Sequence, residues 1–291
     1  MTAMPSLPSD TGGTEPARLS PGLYIVAGPI GNLGDLTPRA ADWLRRADLV
    51  ACEDTRVTAK LLRAAGSTRP MQSYHEHSPP EAGERLLERM GREAVALVSD
   101  AGTPLISDPG FALVREARRR NIPVTTAPGP SAAIAALSVS GLPTDRFLFA
   151  GFLPPRSAAR RQDIIGLRTV PATLIFYETA PRLADALADL AELLGDRPAV
   201  VARELTKLHE EAVAGSLAEL AARYRDAPTR GEIVLVIGPP QSEPGAATDD
   251  LDVALRAALS AMSMGKAAAS VAAALGLPRH EVYARALALK P

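Results

Sequence analysis

Three short turns rich in glycine, proline and other small residues each follow an apolar segment in the first half of the chain. The turns lie at Gly28–Leu33, Ser99–Pro104 and Pro128–Ala132, after apolar segments at 23–27, 94–98 and 122–126. Small residues leave the backbone accessible, and in open α/β sheets ligands bind at the carboxyl ends of the strands. A single turn of this kind is most often an ordinary strand-to-helix connection, but three of them predict one shared crevice.

Helical patterns separate these strands, beginning with Thr37 as a helix N-cap and Pro38 in the first turn. The alternation predicts an α/β fold whose N-terminal sheet is mostly parallel and is wrapped by helices. We expect an N-terminal α/β domain at 21–141 and a second α/β domain at 142–238. The second domain is expected to contain strands at 147–150, 172–177, 199–202 and 233–237 and helices at 158–167, 182–194 and 217–224.

A segment of linker composition, 239–250, precedes a small helical module at 251–291. Five basic residues of this module oppose two acidic ones, a bias that is compatible with nucleic-acid contact. A packing or dimerisation role explains the helices equally well. The expected helices span 251–260, 266–275 and 279–289, and the last two flank Gly276-Leu277-Pro278, the signature of a helix-turn-helix.

Composition excludes several classes of protein. The 291 residues carry a formal net charge of −1, so any nucleic-acid contact has to come from local patches. The single Cys52 excludes an intramolecular disulfide and suits a reducing cytoplasm. Residues 1–20 have no apolar core segment and are expected to be a disordered tail rather than a secretory signal. No uninterrupted apolar run reaches membrane-spanning length.

Four longer motifs resemble one enzyme family in sequence, order and spacing. They are Gly28–Arg39, Glu53–Arg56, Ser99–Gly110 and Gly151–Pro154, and the twelve-residue run at Ser99–Gly110 is highly specific. The family is ribosomal RNA small subunit methyltransferase I, the 16S rRNA (cytidine-2′-O)-methyltransferases of the tetrapyrrole methylase superfamily. The resemblance implies two α/β domains with S-adenosylmethionine between them and a homodimer. It also implies a target cytidine in the decoding region of the small ribosomal subunit.

The resemblance implies S-adenosylmethionine as the cofactor, and the residues of the three turns are compatible with binding it. The chain has no Gly-x-Gly-x-x-Gly after its first strand and no Walker lysine motif, so the usual dinucleotide and P-loop sites are excluded. Asp100 offers a hydrogen-bond acceptor, and the amides of the helix that opens at Ser131 suit a carboxylate. The expected cofactor-binding residues are Pro29, Asp100, Ala101, Gly102, Leu105, Ile106, Ser131, Ala132, Tyr177 and Leu205.

Acidic residues near the strand ends are candidates for the group that orients or deprotonates the acceptor. A ribose hydroxyl is weakly acidic, and its attack on a methyl group needs alignment and a hydrogen-bond acceptor for its proton. Glu53 and Asp54 also suit a simpler role at a helix N-terminus, where acids interact favourably with the helix dipole. The sequence does not separate the four candidates, Glu53, Asp54, Glu178 and Glu204.

Basic residues beside these acids are candidates for contacts with RNA phosphates, although solvated surface ion pairs are the simpler interpretation. The RNA-binding candidates are Arg56, Arg156, Arg160, Arg161, Arg203 and Lys207. His75 and His77 could share a strand face, but no third ligand is evident, so no metal site is expected. Tyr74 and His75 could instead stack on a nucleotide or form hydrogen bonds with it.

The leading hypothesis is an S-adenosylmethionine-dependent 2′-O-methyltransferase that acts on 16S rRNA in the cytoplasm. A tetrapyrrole or protein methyltransferase of the same superfamily is one alternative, and a non-catalytic RNA-binding protein of ribosome assembly is another. The three crevice turns argue against a non-catalytic protein. The basic segment at 154–168 argues against a small-molecule acceptor.

Overall fold

The computed structural model of the chain describes residues 18–75, 77–107, 110–227, 229–240, 246–275 and 277–289. Most of the expected tail at 1–20 lies outside the described residues, and so do residues 241–245 of the expected linker. The chain divides into two compact units, 1–239 and 240–291.

The first sheet of the larger unit has five strands, and all its neighbouring strands are parallel, as the alternating pattern predicts. Its order is β3-β2-β4-β1-β5. The strands are β1 (Gly22–Val26), β2 (Leu49–Cys52), β3 (Met71–Ser73), β4 (Ala94–Val98) and β5 (Val124–Ala127). The helices that alternate with them are α1 (Pro38–Arg46), α2 (Thr55–Ala65), α3 (Pro80–Met90), α4 (Phe111–Arg119) and α5 (Ala132–Ser140).

Successive residues of the central strands bury opposite faces of this sheet, because side chains alternate along a strand. Val50 and Val98 pack against α1 and α2 on one face, while Leu49 and Leu97 pack against α3 and α4 on the other. All five residues of β4 are buried. A sheet covered on both faces produces continuous apolar runs, which is why the sequence indicates these strands clearly.

The second sheet also has five strands, in the order β6-β7-β10-β8-β9. Only β6 and β7 pair in parallel among its described strands, and the other neighbours are antiparallel. The strands are β6 (Phe147–Phe152), β7 (Thr173–Thr179), β8 (Pro198–Arg203), β9 (Glu211–Ser216) and β10 (Glu232–Ile237). One face is covered by α6 (Ser157–Leu167), α7 (Leu183–Leu194) and α8 (Leu217–Asp226).

Helix α5 comes from the first half of the chain but packs on the other face of the second sheet. Ala133, Ala136 and Leu137 form a buried cluster with Ile175 of β7 and Val234 of β10. Ile30, from the turn after β1, belongs to the same cluster. This packing holds the turns after the parallel strands beside the second sheet, and the candidate site lies there.

The smaller unit consists of α9 (Ala246–Ala261), α10 (Met264–Leu275) and α11 (Arg279–Ala288). Leu255, Val271 and Val282 are buried in its own cluster, and Arg285 is ion-paired with Asp252 at 2.7 Å. Helix α9 begins earlier than the sequence indicates: residues 246–250, expected in the linker, are helical. Its opening alanines have the highest helix propensity of any residue and explain the earlier start. Among the described helices, none combines the length and the apolar character that a membrane span requires.

Candidate active site

A cavity of about 370 Å³ lies between the turns of the first sheet and one face of the second sheet. Eight of the ten residues expected to bind the cofactor line it: Asp100, Ala101, Gly102, Ile106, Ser131, Ala132, Tyr177 and Leu205. Pro29 and Leu105 are not among its lining residues. We call this space the smaller cavity.

The three turns singled out in the sequence are hydrogen-bonded to one another at this cavity. The Gly28 amide donates to the Gly102 carbonyl at 2.8 Å, and the Gly102 amide donates to the Pro29 carbonyl at 3.3 Å. The Thr103 hydroxyl donates to the Pro130 carbonyl at 3.0 Å. Pro29 therefore supports the cavity through its backbone, because it fixes the Gly102 turn rather than lining the space.

The second sheet supplies the opposite wall, including a segment that the sequence analysis did not identify. Gly231 has a φ of 96°, and a Cβ atom placed there would lie 2.5 Å from Glu204 Oε1. Only glycine leaves room for the backbone here. The segment Gly231–Val234 lines the cavity together with Ile30, Thr103, Ser107, Phe152, Glu178, Thr179 and Ala202. In the sequence, Gly231 stands directly before the apolar segment of β10, and this pattern could have indicated that the segment approaches the cavity.

Two loops near the smaller cavity hold non-glycine residues in left-handed backbone conformations. Leu105 and Ser107 have φ values of 74° and 62°, and Glu204 and Thr206 have values of 50° and 66°. Left-handed residues other than glycine are uncommon and cluster at functional sites. Side-chain bridges fix the second loop, since Lys207 Nζ lies 2.8 Å from both Glu204 Oε1 and Glu232 Oε2.

A larger cavity of about 1240 Å³ adjoins the first one, and Asp100 and Ser107 line both. Its walls come from the N-terminus of α2, the segment after β3, the first half of α3 and the N-terminus of α4. Its lining includes Glu53, Asp54, Arg56, Tyr74, His75, His77, Glu84, Gly110, Phe111, Arg115 and Glu116.

The four candidate carboxylates lie in different environments, and two of them are engaged in the second sheet. Glu178 is buried; its Oε1 accepts a hydrogen bond from the Thr179 amide at 2.7 Å, and its Oε2 lies 3.3 Å from Arg182. Glu204 Oε1 accepts from Lys207 and from the Glu232 amide. The hydrogen bond from Lys207 lowers the pKa of Glu204.

The other two candidates, Glu53 and Asp54, line the larger cavity. Asp54 caps α2, and its carboxylate accepts hydrogen bonds from the amide and the guanidinium of Arg56. The guanidinium contact, more than any other, lowers the pKa of Asp54 to about 2. Glu53 is half-buried, and its carboxylate has no hydrogen-bond partner among the described residues. Burial raises the pKa of Glu53, and the nearby Asp100 charge raises it further.

The basic candidates differ in how free they are to meet a ligand. Arg160 has a side chain only 6% exposed, and its Nε donates to Asp189 at 2.6 Å. Arg161 bonds to Asp189 and Glu192, and Arg203 lies 2.9 Å from Glu211. Arg156 is exposed, and Arg56 lines the larger cavity while paired with Asp54.

The two histidines at the larger cavity have ring centres 6.4 Å apart. Within the described ranges, no group of three or more histidine, cysteine, aspartate or glutamate side chains could hold a metal ion. Phe111 and Arg115 also line the larger cavity, and neither was among the residues predicted from the sequence to belong to the site. The sequence does place a large apolar residue, Phe111, at the start of a helix rich in arginine, and this pattern could have indicated a binding residue.

Comparison with known families gives two matches along the chain. Residues 22–221 match the family of tetrapyrrole (corrin/porphyrin) methylases, and residues 245–290 match the RsmI C-terminal HTH domain. Solved structures of similar fold include a diphthine synthase, at a TM-score of 0.59, 20% identity and coverage of 74% of this chain and 89% of that one. Another is a uroporphyrin-III C-methyltransferase from Thermus thermophilus complexed with S-adenosylhomocysteine. Its TM-score is 0.53 and its sequence identity is 23%, and the match covers 75% of this chain and 97% of that one. At these identities the likeness establishes the fold.

Several relatives of higher identity carry the name ribosomal RNA small subunit methyltransferase I. The protein of Erythrobacter litoralis is 57% identical over 94% of this chain and 96% of its own length. That of Pseudomonas aeruginosa is 46% identical over 91% and 96%, and that of Escherichia coli O157:H7 is 42% identical over 91% and 94%. The chain is therefore a methyltransferase of the ribosomal RNA small subunit methyltransferase I family, within the tetrapyrrole methylases.

Proposed function

We propose that the protein transfers a methyl group from S-adenosylmethionine to the ribose 2′-oxygen of a cytidine in the decoding region of 16S rRNA. The observation that carries the proposal is the pair of adjoining cavities, which share Asp100 and Ser107 as lining residues. One cavity has the size of a nucleoside site, and the other is open enough for a polymer. The small-subunit rRNA named for the relatives supports the choice of acceptor.

The smaller cavity suits the methyl donor. Its volume of about 370 Å³ is within the usual range of small-molecule sites, about 300–1,000 Å³. Ile30, Ile106 and Leu205 offer apolar contact for an adenine ring, and Asp100 offers an acceptor for amino or hydroxyl groups. Ser131 makes no side-chain cap to α5, so the first amides of that helix stay available for a carboxylate.

When bound, S-adenosylmethionine supplies a methyl carbon on a sulfonium sulfur, and its transfer to a ribose hydroxyl leaves S-adenosylhomocysteine and one proton. The chain has to align the hydroxyl and accept that proton. We propose that the Glu53 carboxylate accepts this proton. Glu178 and Glu204 are engaged in the second sheet, and Asp54 is held by Arg56. Glu53 has no hydrogen-bond partner in the described part of the chain, lines the larger cavity and has a raised pKa, as a general base requires.

The RNA backbone is proposed to contact Arg56 and Arg156. Arg56 is paired with Asp54, but it lines the larger cavity and its side chain is 88% exposed. Arg156 is exposed without a side-chain partner among the described residues. Arg161, Arg203 and Lys207 are also ion-paired and are no more than one third exposed, so a phosphate would reach them less readily. We leave Arg160 out, because moving a buried and paired guanidinium to the surface would leave Asp189 without its closest partner.

We further propose that the protein is a cytoplasmic homodimer. Helix α5 is apolar along its length and buries one side against the second sheet, while Ile134 and Val139 are about half-exposed on it. Large apolar side chains on one exposed helix suit an interface between two copies. Light scattering tests this: Ile134→Glu together with Val139→Glu should give a monomer, and an unchanged mass would reject this face.

The decisive experiment measures methyl incorporation from labelled S-adenosylmethionine into small subunits of a strain that lacks this protein. Nucleoside analysis should then find 2′-O-methylcytidine, and subunits from the parent strain should accept no further label. Label in a base, in ribosomal protein or in a tetrapyrrole would replace the proposed acceptor. Binding of small subunits without any transfer would favour an assembly protein.

A further inference from the structure

Phe111 occupies an unusual position for a large apolar side chain. It is the first residue of α4, it lines the larger cavity, and it is 67% exposed. The Arg115 guanidinium carbon lies over its ring, 5.5 Å from the ring centre. An exposed aromatic ring and the arginine plane over it therefore lie together in the cavity assigned to the acceptor.

The start of α4 is fixed by packing, so the exposed ring is held in place rather than carried on a free loop. Leu113 and Ala117 bury the opposite side of the helix in the core of the first sheet. Gly110 enters the helix with a φ of 124°, and a Cβ atom there would lie 3.0 Å from Leu97 Cδ2. This close approach presses the beginning of the helix onto β4. Core packing thus explains Leu113, whereas Phe111 belongs to none of the buried clusters formed by the described residues.

We propose that Phe111 and Arg115 form a stacking platform for the base of the nucleotide that is methylated. The inference rests on the proposed function, which makes RNA the ligand of the larger cavity. Bases that are unstacked from their RNA neighbours bind on aromatic rings and on arginine planes. Glu53 and Asp100 line the same cavity as Phe111, so a base held on this platform belongs to a nucleotide in the space that the proposed proton acceptor lines.

The acidic lining of the cavity suits an uncharged base. Among the described residues, five acids and two arginines line the cavity; the acids are Glu53, Asp54, Glu84, Asp100 and Glu116. Arginines are ion-paired with three of these acids, and within the described residues Glu53 and Asp100 have no such partner. These two carboxylates would repel a phosphate placed beside them but not an uncharged base. A carboxylate also accepts a hydrogen bond from the exocyclic amino group of cytosine, so acidic walls suit a cytidine better than a uridine.

The test compares Phe111→Ala, Phe111→Leu and Phe111→Tyr in the full-length protein, with Phe147→Ala as the matched control. Phe147 is also exposed but lines neither cavity. Three quantities are measured: kcat/KM for methylation of unmodified small subunits, binding of those subunits by sedimentation, and S-adenosylmethionine affinity by calorimetry. Loss of one base–aromatic stack should lower subunit binding and kcat/KM by about 5- to 150-fold in Phe111→Ala.

Phe111→Leu should stay near Phe111→Ala, because it restores apolar area but no ring. Phe111→Tyr should stay near the parent, and all variants should keep the cofactor affinity of the parent. Recovery by leucine, an unaffected Phe111→Ala or an equal loss in Phe147→Ala would each overturn the platform. A parent protein that does not methylate small subunits would instead refute the proposed function, and the platform would lose its ligand with it.

Discussion

The backbone amide of Asp54 donates a hydrogen bond of 3.1 Å to Oδ1 of Asp100. The two residues come from the ends of neighbouring strands, since β2 pairs with β4 in register from Leu49 to Cys52. Asp100 lines both cavities, so this bond ties the N-terminus of α2 to the wall between them. The Asp100 carboxylate thus helps to form both proposed sites.

Replacing Asp100 should weaken the binding of S-adenosylmethionine. Asp100→Ala removes a lining acceptor and leaves the Asp54 amide without its partner. Hydrogen bonds to charged groups contribute about 1.5–3 kcal/mol, so the dissociation constant from calorimetry should rise at least about 10-fold. Asp163→Ala, at an exposed site on α6 outside both cavities, is the control. An unchanged affinity in a folded Asp100→Ala protein would remove Asp100 from the donor site.

Replacing Glu53 should affect the chemical step and its dependence on pH. Glu53→Gln should lower kcat by roughly 10²- to 10⁴-fold, the usual contribution of a general base, without weakening donor binding. Burial and Asp100 raise the pKa of Glu53, so the active carboxylate is lost at a higher pH than for an ordinary glutamate of about 4.3. The parent kcat should therefore fall as the pH decreases through this raised pKa.

The pH profile of Glu53→Gln should lack this acidic limb. Glu88→Gln changes an exposed acid of α3 that lies outside both cavities, and should match the parent throughout. A parent-like acidic limb in Glu53→Gln would assign the proton to another group.

Adding a methyl group at Gly231 should disturb the donor site. Both Gly231→Ala and Gly66→Ala place alanine at a positive φ, which costs about 1–2 kcal/mol. Only position 231 also meets a neighbour, the Glu204 side chain, which is held by Lys207 and the Glu232 amide. Gly231→Ala should therefore show the larger loss of thermal stability and lose donor affinity, while Gly66→Ala, where a Cβ atom meets nothing within 4 Å, keeps it. Equal effects on donor affinity would contradict the proposed wall.

Two arginines of the basic segment should behave in opposite ways. Arg160→Ala breaks a buried ion pair, and urea denaturation should show a loss of roughly 3 kcal/mol, with Arg161 still neutralising part of the Asp189 charge. Arg156→Ala should stay within about 0.5 kcal/mol of the parent. It should instead weaken subunit binding and reduce the salt slope by about 0.7–0.9, as for one lost phosphate contact. A stable Arg160→Ala protein with weaker RNA binding would reinstate Arg160 as a phosphate ligand.

Truncation after Pro240 should separate RNA docking from cofactor binding. The three C-terminal helices have their own buried cluster, and the chain divides into compact units at this point. We expect the remaining protein to fold and to keep its affinity for S-adenosylmethionine, while methylation of small subunits falls. Calorimetry and light scattering measure the first two properties. Joint loss of folding, or of the dimer and cofactor affinity, would show that these helices act by packing instead.

The sequence predicts the first sheet well and the second sheet only in part. Strands buried on both faces, such as β4, appear as apolar runs. The edge strands β3 and β9 were not predicted, because their residues are largely exposed or half-buried and show no apolar run. The turns after the parallel strands lie together because all strands of such a sheet end at the same edge.

The rest of the site depends on packing that a linear pattern does not contain. Gly231 lines the cavity because β10, which follows it, lies between β7 and β8 in the second sheet, and this strand order is not visible in the sequence. Arg160 and Arg156 belong to one basic cluster in the sequence, yet the first is buried against Asp189 and the second is exposed. Which side of a helix meets its neighbour decides between an ion pair and a ligand contact, and that choice is made by the tertiary fold.

The left-handed residues in the loops at 105–107 and 204–206 have a thermodynamic consequence. Backbone strain of about 1–3 kcal/mol per residue lowers the free energy needed to open these loops below that of global unfolding. Their amides should exchange with deuterium before those of β4 or β10. A ligand that binds only the closed loops opposes such opening, so the methyl donor should slow exchange in both segments together and raise the melting temperature.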